Sequence, residues 1–289
     1  MTQTRLAVLG HPIQHSRSPL LHSSAYRALN LPWAYEAVDV TEAALPSFVA
    51  TLGSDWRGLS LTMPLKRAVV PLLDESDELV AMIGVANTVL FRPDVDRVTL
   101  HGFNTDVGGV MDALGAVGAD LRDAHILGSG ATATSVLVAL ARLGAASVTI
   151  SARSPQKARP LRSLAQQLGV ELVILPLGTP PAGQPSLVVS TVPGGAELDF
   201  AVPAALSPDA VLLDVSYDPW PTPLAARWSH AGGSILSGLE MLMWQALRQV
   251  RVFVSGDQDT TLDNERDVVD AMRTSVGLPA AVDHGVTGQ

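Results

Sequence analysis

The sequence contains no cysteine among its 289 residues, and aromatic residues make up only 4% of it. The absence of cysteine excludes disulfide bridges, zinc sites built on thiolates and a cysteine nucleophile. Positive charge is also scarce, because 19 Lys and Arg stand against 28 Asp and Glu, which gives a net charge of −9. Such an acidic chain lacks the basic surface of a general nucleic-acid or anionic-membrane binder, although a local basic site for one small anion is still allowed.

Long apolar runs are missing as well. Arg142 interrupts the best candidate, so no stretch reaches the roughly 18 residues that a membrane span needs. The N-terminus is apolar only briefly before His11 and Pro12, which is unlike a secretory signal. Pro12 also disfavours a regular helix between His11 and His15, so we expect no metal site there. We therefore expect a cytoplasmic protein that binds neither membranes nor nucleic acid.

Apolar sequence is plentiful, at 47% of the residues, and allows a substantial core. At roughly 150 residues per domain, the length predicts about two domains. We predict an α/β fold in which residues 1–106 form a first α/β domain and residues 107–237 a second. Residues 238–289 are predicted to form two helices that pack back on the first domain, with a frayed tail from about residue 277.

The second domain is predicted from strands that alternate with helices, which indicates a parallel sheet with helices on both faces. A strand over residues 125–127 runs directly into residues 128–133 (GSGATA) and then a helix. In this G-x-G-x-x-A fingerprint the first glycine permits a tight turn, the second leaves room for a pyrophosphate, and the helix start offers free N–H groups. An ordinary tight turn is the alternative, but the strand–turn–helix context favours a nucleotide site. The expected cofactor contacts are Gly128, Ser129, Gly130, Ala131 and Thr132.

The end of the next strand indicates which dinucleotide binds. NAD sites usually carry an acid there for the ribose 2′-hydroxyl, but residues 149–157 (TISARSPQK) contain none. Arg153, Ser154 and Lys157 can instead surround a 2′-phosphate. The alternative is a solvated loop before a helix over residues 155–168 that Ser154 caps. We expect NADP as the cofactor.

Two serines precede the first predicted helix. Ser16 and Ser18 are separated by one residue, so their hydroxyls can together bind one carboxylate. Ser18 alone is also explained as the N-cap of a helix with Pro19 at its first position. Ser16 is less easily explained in that way.

Two further polar clusters lie beside predicted strands. Lys66 follows a strand that ends at Thr62, and a lone lysine is by default a surface charge. Residues 87–88 (NT) and 104–106 (NTD) lie beside the strands of a predicted β-hairpin. Asp106, at the start of a predicted helix, is by default a helix cap.

Seven segments in order resemble the shikimate dehydrogenase family. They are residues 10–19 (GHPIQHSRSP), 62–66 (TMPLK), 84–88 (GVANT), 104–106 (NTD), the glycine loop, 214–219 (DVSYDP) and 238–245 (GLEMLMWQ). The resemblance covers almost the whole chain. It implies a substrate domain and a Rossmann NADP domain that face each other across a cleft. The reaction it implies is the reversible, NADPH-dependent reduction of 3-dehydroshikimate to shikimate in aromatic biosynthesis.

The resemblance also implies a role for each matching residue. Lys66 and Asp106 would be the catalytic pair, and Val215 and Gly238 would line the nicotinamide. As hydride arrives, an ammonium on Lys66 would stabilise the negative charge on the carbonyl oxygen and can donate the proton. The sequence leaves open which member of the pair finally carries that proton. The substrate would be bound by Ser16, Ser18, Thr62, Lys66, Asn87, Asp106, Tyr217 and Gln245.

The chain departs from the family pattern at three positions. Ser60 replaces a common Asn, Ala131 a common Gly, and Ala152 a common Asn. These changes bear on loop geometry and cofactor affinity and leave the implied catalytic groups in place. Two alternatives stay open: a quinate/shikimate or aminoshikimate dehydrogenase of the same fold, and a non-catalytic sensor of shikimate-like ligands. A monomer and a homodimer are equally compatible with the sequence.

Overall fold

The computed structural model describes residues 3–95, 97–115, 117, 120–180, 183, 185–195 and 198–280. In these residues the chain forms two six-stranded sheets with helices packed around them. None of the helices in these ranges is long and apolar enough to cross a membrane. Residues 281–289, which belong to the tail predicted to be frayed, lie outside the described residues.

The first sheet uses strands from the first third of the chain. They are β1 Arg5–Gly10, β2 Ala34–Asp39, β3 Trp56–Leu61, β4 Glu75–Ser76, β5 Thr88–Pro93 and β6 Val98–Phe103. The strand order is β2-β1-β3-β5-β6-β4. β1 runs parallel to β2 and β3, whereas β5 pairs antiparallel with β3 and β6, which confirms the predicted hairpin. Because β1 and β3 are parallel, the loops that follow them emerge at the same edge.

The helices of this part of the chain are α1 Ser18–Ala28, α2 Leu45–Ala50, α3 Leu65–Ala68, α4 Glu78–Ile83 and α5 Asp106–Gly115, with a 3-10 turn at Val70–Leu72. Successive residues of a strand face opposite sides of a sheet. In β1, Leu6 and Val8 pack in one core with α1, and Ala7 and Leu9 pack in another with Leu45 of α2. The first sheet is therefore buried on both faces.

The second sheet is entirely parallel. Its strands are β7 Asp123–Leu127, β8 Ser147–Ala152, β9 Glu171–Pro176, β10 Leu187–Ser190, β11 Val211–Asp214 and β12 Ser234–Ser237. Its helices are α6 Ala131–Arg142, α7 Pro155–Ala158, α8 Leu161–Gln167 and α9 Pro223–His230. The strand order β12-β11-β10-β7-β8-β9 reverses direction at β7, as in a Rossmann sheet. The predicted doubly wound fold is confirmed.

One helix predicted to pack beside this sheet is wrong. The sequence predicts a single helix over residues 155–168, but the structure has α7 and α8 with a break at Arg159 and Pro160. Proline has no N–H to donate inside a helix, and its ring clashes with the carbonyl four residues earlier. Pro160 therefore ends the first turn and serves as the N-cap of the second helix.

The chain continues with α10 Gly238–Ser255 and α11 Glu265–Ser275. Val250 and Phe253 of α10 and Val268 and Met272 of α11 are fully buried in the core that also contains α1. Burying each such side chain stabilises the fold by about 1.5–3 kcal/mol. The predicted return of these helices to the first sheet is confirmed.

The predicted domain boundaries fall where the chain passes between the two sheets. The chain leaves the first sheet at β6 and enters α5 at Asp106, and it leaves the second sheet at β12 and enters α10 at Gly238. That these positions separate domains stays a prediction.

Candidate active site

A cavity of about 250 Å³ lies where the loops at the carboxyl ends of the two sheets meet. Parallel sheets commonly bind their ligands at this edge. Most of the residues predicted to bind substrate line the cavity, together with three of those predicted to bind cofactor. They are Ser16, Ser18, Thr62, Lys66, Asp106, Tyr217 and Gln245, and Thr132, Val215 and Gly238.

Lys66 and Asp106 are in direct contact in the wall of this cavity. Nζ of Lys66 donates to Oδ2 of Asp106 at 2.5 Å, and only 12% and 3% of the two side chains are exposed. Lys66 is therefore not the surface charge that a lone lysine usually is. Because this ion pair is largely shielded from water, its attraction is screened less than that of a surface pair. The attraction holds the ammonium in one place.

A neighbouring asparagine leaves the Asp106 carboxylate available for this contact. The start of α5 is capped by Asn104, whose Oδ1 accepts the Val107 N–H at 3.2 Å. Asp106 is thus not the cap that its position predicts by default. Its second oxygen, Oδ1, accepts from Nδ2 of Asn87 at 2.9 Å.

Ser18 does not cap α1, and Ser16 contacts the start of this helix in its place. α1 begins at Ser18 itself with Arg17 at the N-cap, so the prediction of Ser18 as N-cap is wrong. Ser16 serves the helix start instead, because its Oγ accepts the Ser18 N–H at 3.3 Å. The side chains of Ser16 and Ser18 both line the cavity beside the start of α1. The N–H groups of Ser18, Leu20 and Leu21 are all bonded within this turn, so the serine hydroxyls are what the start of α1 offers to an anion.

Tyr217 reaches this group of hydroxyls from the other sheet. Burial raises the pKa of the Tyr217 phenol, and a hydrogen bond with the backbone of Arg17 opposes the shift in part. The phenol is therefore protonated at neutral pH and can donate to an anion. The contact joins the loop after β11 to the start of α1 across the cavity.

Asn87 lies behind the cavity wall and not in it. Its side chain is buried, and its Nδ2 faces Thr105 Oγ1 at 2.8 Å and Gln245 Oε1 at 3.1 Å in addition to Asp106. These bonds occupy the amide N–H groups of Asn87. A direct contact between Asn87 and a substrate stays a prediction.

Close packing of two helices brings Gln245 to the site. A Cβ added at Gly109 of α5 would lie 2.6 Å from Cβ of Gln245 in α10, so only glycine permits this approach. The pairing is reinforced by Arg248, whose Nε donates to Asp112 Oδ2 at 2.8 Å. Gln245 therefore stands next to Asn87 although 158 positions separate them.

The glycine loop has the predicted geometry at the end of β7. Gly128 has φ of 108°, in the region that glycine alone adopts without strain, and a Cβ there would lie 2.4 Å from Thr191 Oγ1. α6 starts after Gly130, and no side chain among the described residues caps it. Its first N–H groups are thus available to an anion, and Thr132 in its first turn lines the cavity.

The candidate 2′-phosphate residues follow β8, which is the neighbour of β7. Arg153 and Lys157 are exposed, and Ser154 is the N-cap of α7 with Pro155 at the first helical position. Neither Arg153 nor Lys157 forms an ion pair with any described carboxylate. Their binding of a phosphate stays a prediction.

Val215 and Gly238 meet at the floor of the cavity on the side of the second sheet. A Cβ added at Gly238 would lie 2.1 Å from the carbonyl oxygen of Val215. Glycine is therefore required where β12 passes into α10. Both residues line the cavity, and their contact with the nicotinamide stays a prediction.

Sequence reasoning missed other residues of the cavity wall. Gln249 lines it and is one helical turn beyond Gln245, a spacing that places both on one face of α10 and offered the signal. Ser60 was noticed only as a departure from a pattern, yet it lines the cavity too. At the mouth, His15 Nδ1 lies 3.4 Å from Asp218 Oδ2 of the opposite side.

A Rossmann sheet whose glycine loop opens toward a buried ammonium–carboxylate pair is the arrangement of a nicotinamide-dependent dehydrogenase. Residues 8–89 match the family model described as the shikimate dehydrogenase substrate binding domain. The shikimate dehydrogenase (NADP(+)) of Moorella thermoacetica is 34% identical, with 96% of each chain covered. The chain therefore belongs to the shikimate dehydrogenase family, as the resemblance indicates.

Solved structures agree with this assignment. The crystal structure of Mycobacterium tuberculosis shikimate dehydrogenase is 37% identical, with a TM-score of 0.77 over 94% of this chain and 99% of that one. The shikimate 5-dehydrogenase of Thermus thermophilus, solved in complex with NADP(H) and shikimate, is 33% identical. Its TM-score is 0.76, over 94% of this chain and 100% of that one.

Proposed function

We propose that the protein is an NADP-dependent oxidoreductase that interconverts shikimate and 3-dehydroshikimate in aromatic biosynthesis. The observation that carries this proposal is the 2.5 Å contact between Lys66 and Asp106 in the wall of a cavity that the glycine loop also reaches. A binding protein without catalysis has no need of a buried ammonium held at this position. We therefore favour the enzyme over the non-catalytic sensor.

The residues present fit NADP. The glycine loop, residues 128–132, and the start of α6 would hold the pyrophosphate, because the loop leaves no Cβ in the way and the helix offers N–H donors. Arg153, Ser154 and Lys157 would hold the 2′-phosphate, and Val215 and Gly238 would line the nicotinamide. The bound nicotinamide supplies the hydride chemistry.

The side chains of the first half bind and orient the substrate. Ser16, Ser18 and Tyr217 together offer three hydroxyls to the carboxylate, beside the start of α1. The ring hydroxyls would be bound by Thr62, Asn87, Asp106 and Gln245. Such contacts fix the carbon that exchanges hydride relative to the cofactor, and positioning of this kind supplies much of an enzyme's rate enhancement.

Lys66 acts on the oxygen at the reacting carbon. Its ammonium stabilises the negative charge that grows there during reduction and moves a proton to that oxygen. Asp106 accepts from Lys66 with one oxygen and from Asn87 with the other, so the carboxylate is held on both sides and orients the ammonium.

We extend the proposal to the organisation of the chain. Residues 1–106 act as the substrate domain, residues 107–237 as the NADP domain, and residues 238–289 return to the substrate domain. The partner is the small-molecule substrate, without nucleic acid or membrane, in a cytoplasmic monomer or homodimer. Sedimentation of the purified protein measures the oligomeric state.

Absorbance at the reduced-nicotinamide band tests the function directly. The protein is mixed with shikimate or quinate, each with NADP or NAD. We expect this absorbance to rise fastest with shikimate and NADP. A faster rise with quinate would favour a quinate/shikimate dehydrogenase. No rise in any mixture would contradict the proposal that the protein is an enzyme.

A further inference from the structure

In and behind the cavity wall, five buried side chains form one continuous series of hydrogen bonds that ends at Asp106. His22 Nε2 lies 3.1 Å from Gln249 Oε1, and Gln249 Nε2 donates to Thr88 Oγ1 at 3.0 Å. Thr88 Oγ1 donates to Asn87 Oδ1 at 3.0 Å, and Asn87 Nδ2 donates to Asp106 Oδ1 at 2.9 Å. All five residues are at most 2% exposed. We call this series the donor chain.

The direction of the donor chain is fixed by its first member. Gln249 Oε1 can only accept, so His22 Nε2 must carry a proton. Burial lowers the pKa of His22 to about 3, so the ring is neutral at neutral pH and has a single proton. Nδ1 of His22 is then the acceptor for the Tyr26 hydroxyl, 3.1 Å away. Every bond of the donor chain therefore donates toward Asp106, and aligned bonds polarise one another.

Gln249 is held by four hydrogen bonds. Its Oε1 accepts from His22 and also from Ser60 Oγ at 2.8 Å, while its Nε2 donates to Thr88 and to the Asn87 carbonyl oxygen at 3.1 Å. A flipped amide would set donors against donors and acceptors against acceptors. Gln249 lines the cavity but has no hydrogen-bonding capacity left for a ligand.

Asn87, the member of the donor chain directly before Asp106, depends on these bonds for its orientation. An amide side chain can rotate by half a turn at little intrinsic cost, which would exchange Oδ1 and Nδ2 of Asn87. The Thr88 hydroxyl and the Thr105 N–H, at 2.8 Å, both donate to Oδ1 and thereby keep Nδ2 on Asp106. The Asp106 carboxylate is in turn the partner of Lys66.

We propose that Gln249 and Thr88 are positioning residues for the reaction, which hold Asn87 so that its amide fixes the Asp106 carboxylate against Lys66. Neither residue needs to touch substrate or cofactor. This inference rests on the proposed function. It explains why His22, Thr88 and Gln249, to which no contact with a ligand is assigned, are buried polar side chains beside the cavity.

Thr88 offers a matched pair of variants. Thr88→Val keeps the shape of the side chain and removes the hydroxyl, whereas Thr88→Ser keeps the hydroxyl. We expect Thr88→Val to lower kcat for shikimate by about tenfold, since a loss of about 1.4 kcal/mol in the transition state has that effect. Its KM should stay within about threefold, and Thr88→Ser should stay within about threefold in both constants.

Gln249→Met tests the other positioning residue. It keeps the length of the side chain without hydrogen bonds, and we expect it to lower kcat by about tenfold or more. The double variant Gln249→Met/Thr88→Val should be no slower than the worse of its single variants, because both break the same chain. Since Gln249→Met also strands two buried donors, Thr88→Val carries the test if that variant fails to fold.

The split between kcat and KM separates positioning from a general structural role. A general disturbance of the site would weaken substrate binding as well, whereas a misoriented Asn87 should lower kcat in Thr88→Val with little change in KM, and Thr88→Ser should restore it. Three results would overturn the inference and leave the proposed function intact. They are equal losses of kcat in Thr88→Val and Thr88→Ser, additive losses of kcat in the double variant, and a near-normal kcat in Thr88→Val. An inactive wild-type protein would overturn the proposed function and the inference with it.

Discussion

Nζ of Lys66 and Oδ2 of Asp106 are 2.5 Å apart, although 40 positions separate the residues in the chain. Lys66 lies in the four-residue helix α3 that follows β3, and Asp106 is the first residue of α5, after β6. Their meeting depends on the first sheet, because β3 and β6 both pair with β5. The contact between Lys66 and Asp106, the proposed catalytic pair, is thus a product of the sheet topology and not of any local motif.

Replacement of the lysine should abolish most of the activity. Lys66→Ala removes the only ammonium beside Asp106 among the described residues, so we expect kcat to fall by roughly 10²–10⁴-fold, the usual scale for a positioned acid–base group. Circular dichroism should show an unchanged fold. Arg97→Ala, which removes an exposed positive charge that pairs with Asp74, serves as the control and should keep full turnover. Near-normal turnover of Lys66→Ala would eliminate the assignment.

Cofactor choice should depend on Arg153. We expect Arg153→Ala to raise the KM for NADPH by about tenfold or more, because a charge-assisted hydrogen bond contributes about 1.5–3 kcal/mol. The KM for NADH, which lacks the 2′-phosphate, should change much less. Arg162→Ala removes an arginine of the nearby helix α8 and should alter neither KM. Equal effects of Arg153→Ala on both cofactors would argue against the phosphate role.

Two glycines of α5 should respond to alanine in opposite ways. A Cβ at Gly109 would lie 2.6 Å from Gln245 Cβ, so Gly109→Ala must push α5 and α10 apart, and we expect it to cost about 1–3 kcal/mol of stability and to lower kcat. Gly115, at the other end of the helix, has open space at its Cβ position. Gly115→Ala should leave kcat unchanged and stabilise the protein by up to about 1 kcal/mol. Urea unfolding and steady-state kinetics measure both effects, and a fully active Gly109→Ala would contradict the packing argument.

Stability should depend on pH through two buried histidines. Burial lowers the pKa of His22 to about 3 and that of His125 to about 4, from 6.5 in the unfolded chain. The unfolded chain therefore binds protons below pH 6.5 that the folded chain does not. Above pH 6.5 neither histidine lowers the free energy of unfolding. As the pH falls below 6.5, each histidine lowers it by up to about 1.4 kcal/mol per pH unit.

A variant isolates this effect from the acids. Burial raises the pKa of Asp77 and Asp214, which stabilises the fold toward low pH and opposes the histidines. His125→Phe leaves both acids in place and removes one histidine that packs edge-on against Phe200. Between about pH 5 and 6.5, the free energy of unfolding should fall less steeply in His125→Phe than in the wild type. Identical slopes would show that His125 titrates normally in the folded protein.

The second sheet could be predicted from the sequence because its signals are local. Each strand is a short apolar run, and the glycine loop joins one strand to one helix within a few residues. Errors arose where a single residue altered a local pattern, as Pro160 did in the predicted helix over residues 155–168. Ser18 was misjudged because Ser16, two residues earlier, serves the helix start instead.

The site was only partly predictable for a different reason. The roles of Lys66 and Asp106 were inferred from a resemblance, since nothing in the residues alone connects them. Gln249 and His22 are 227 positions apart, and their contact follows from α10 packing against α1, which depends on the whole fold. A polar residue buried by such a long-range contact leaves little trace in local composition.

The pairing of α5 with α10 ties together the two places where the chain crosses between the sheets. The chain passes from one sheet to the other at the start of α5 and returns at the start of α10, and Gly109 with Gln245 and Asp112 with Arg248 bind the two passages together. Both sheets are therefore anchored to one pair of helices, which fixes the separation of the two crossings. On the cavity's other side, His15 Nδ1 and Asp218 Oδ2 are 3.4 Å apart, so loops from both sheets contribute to the wall.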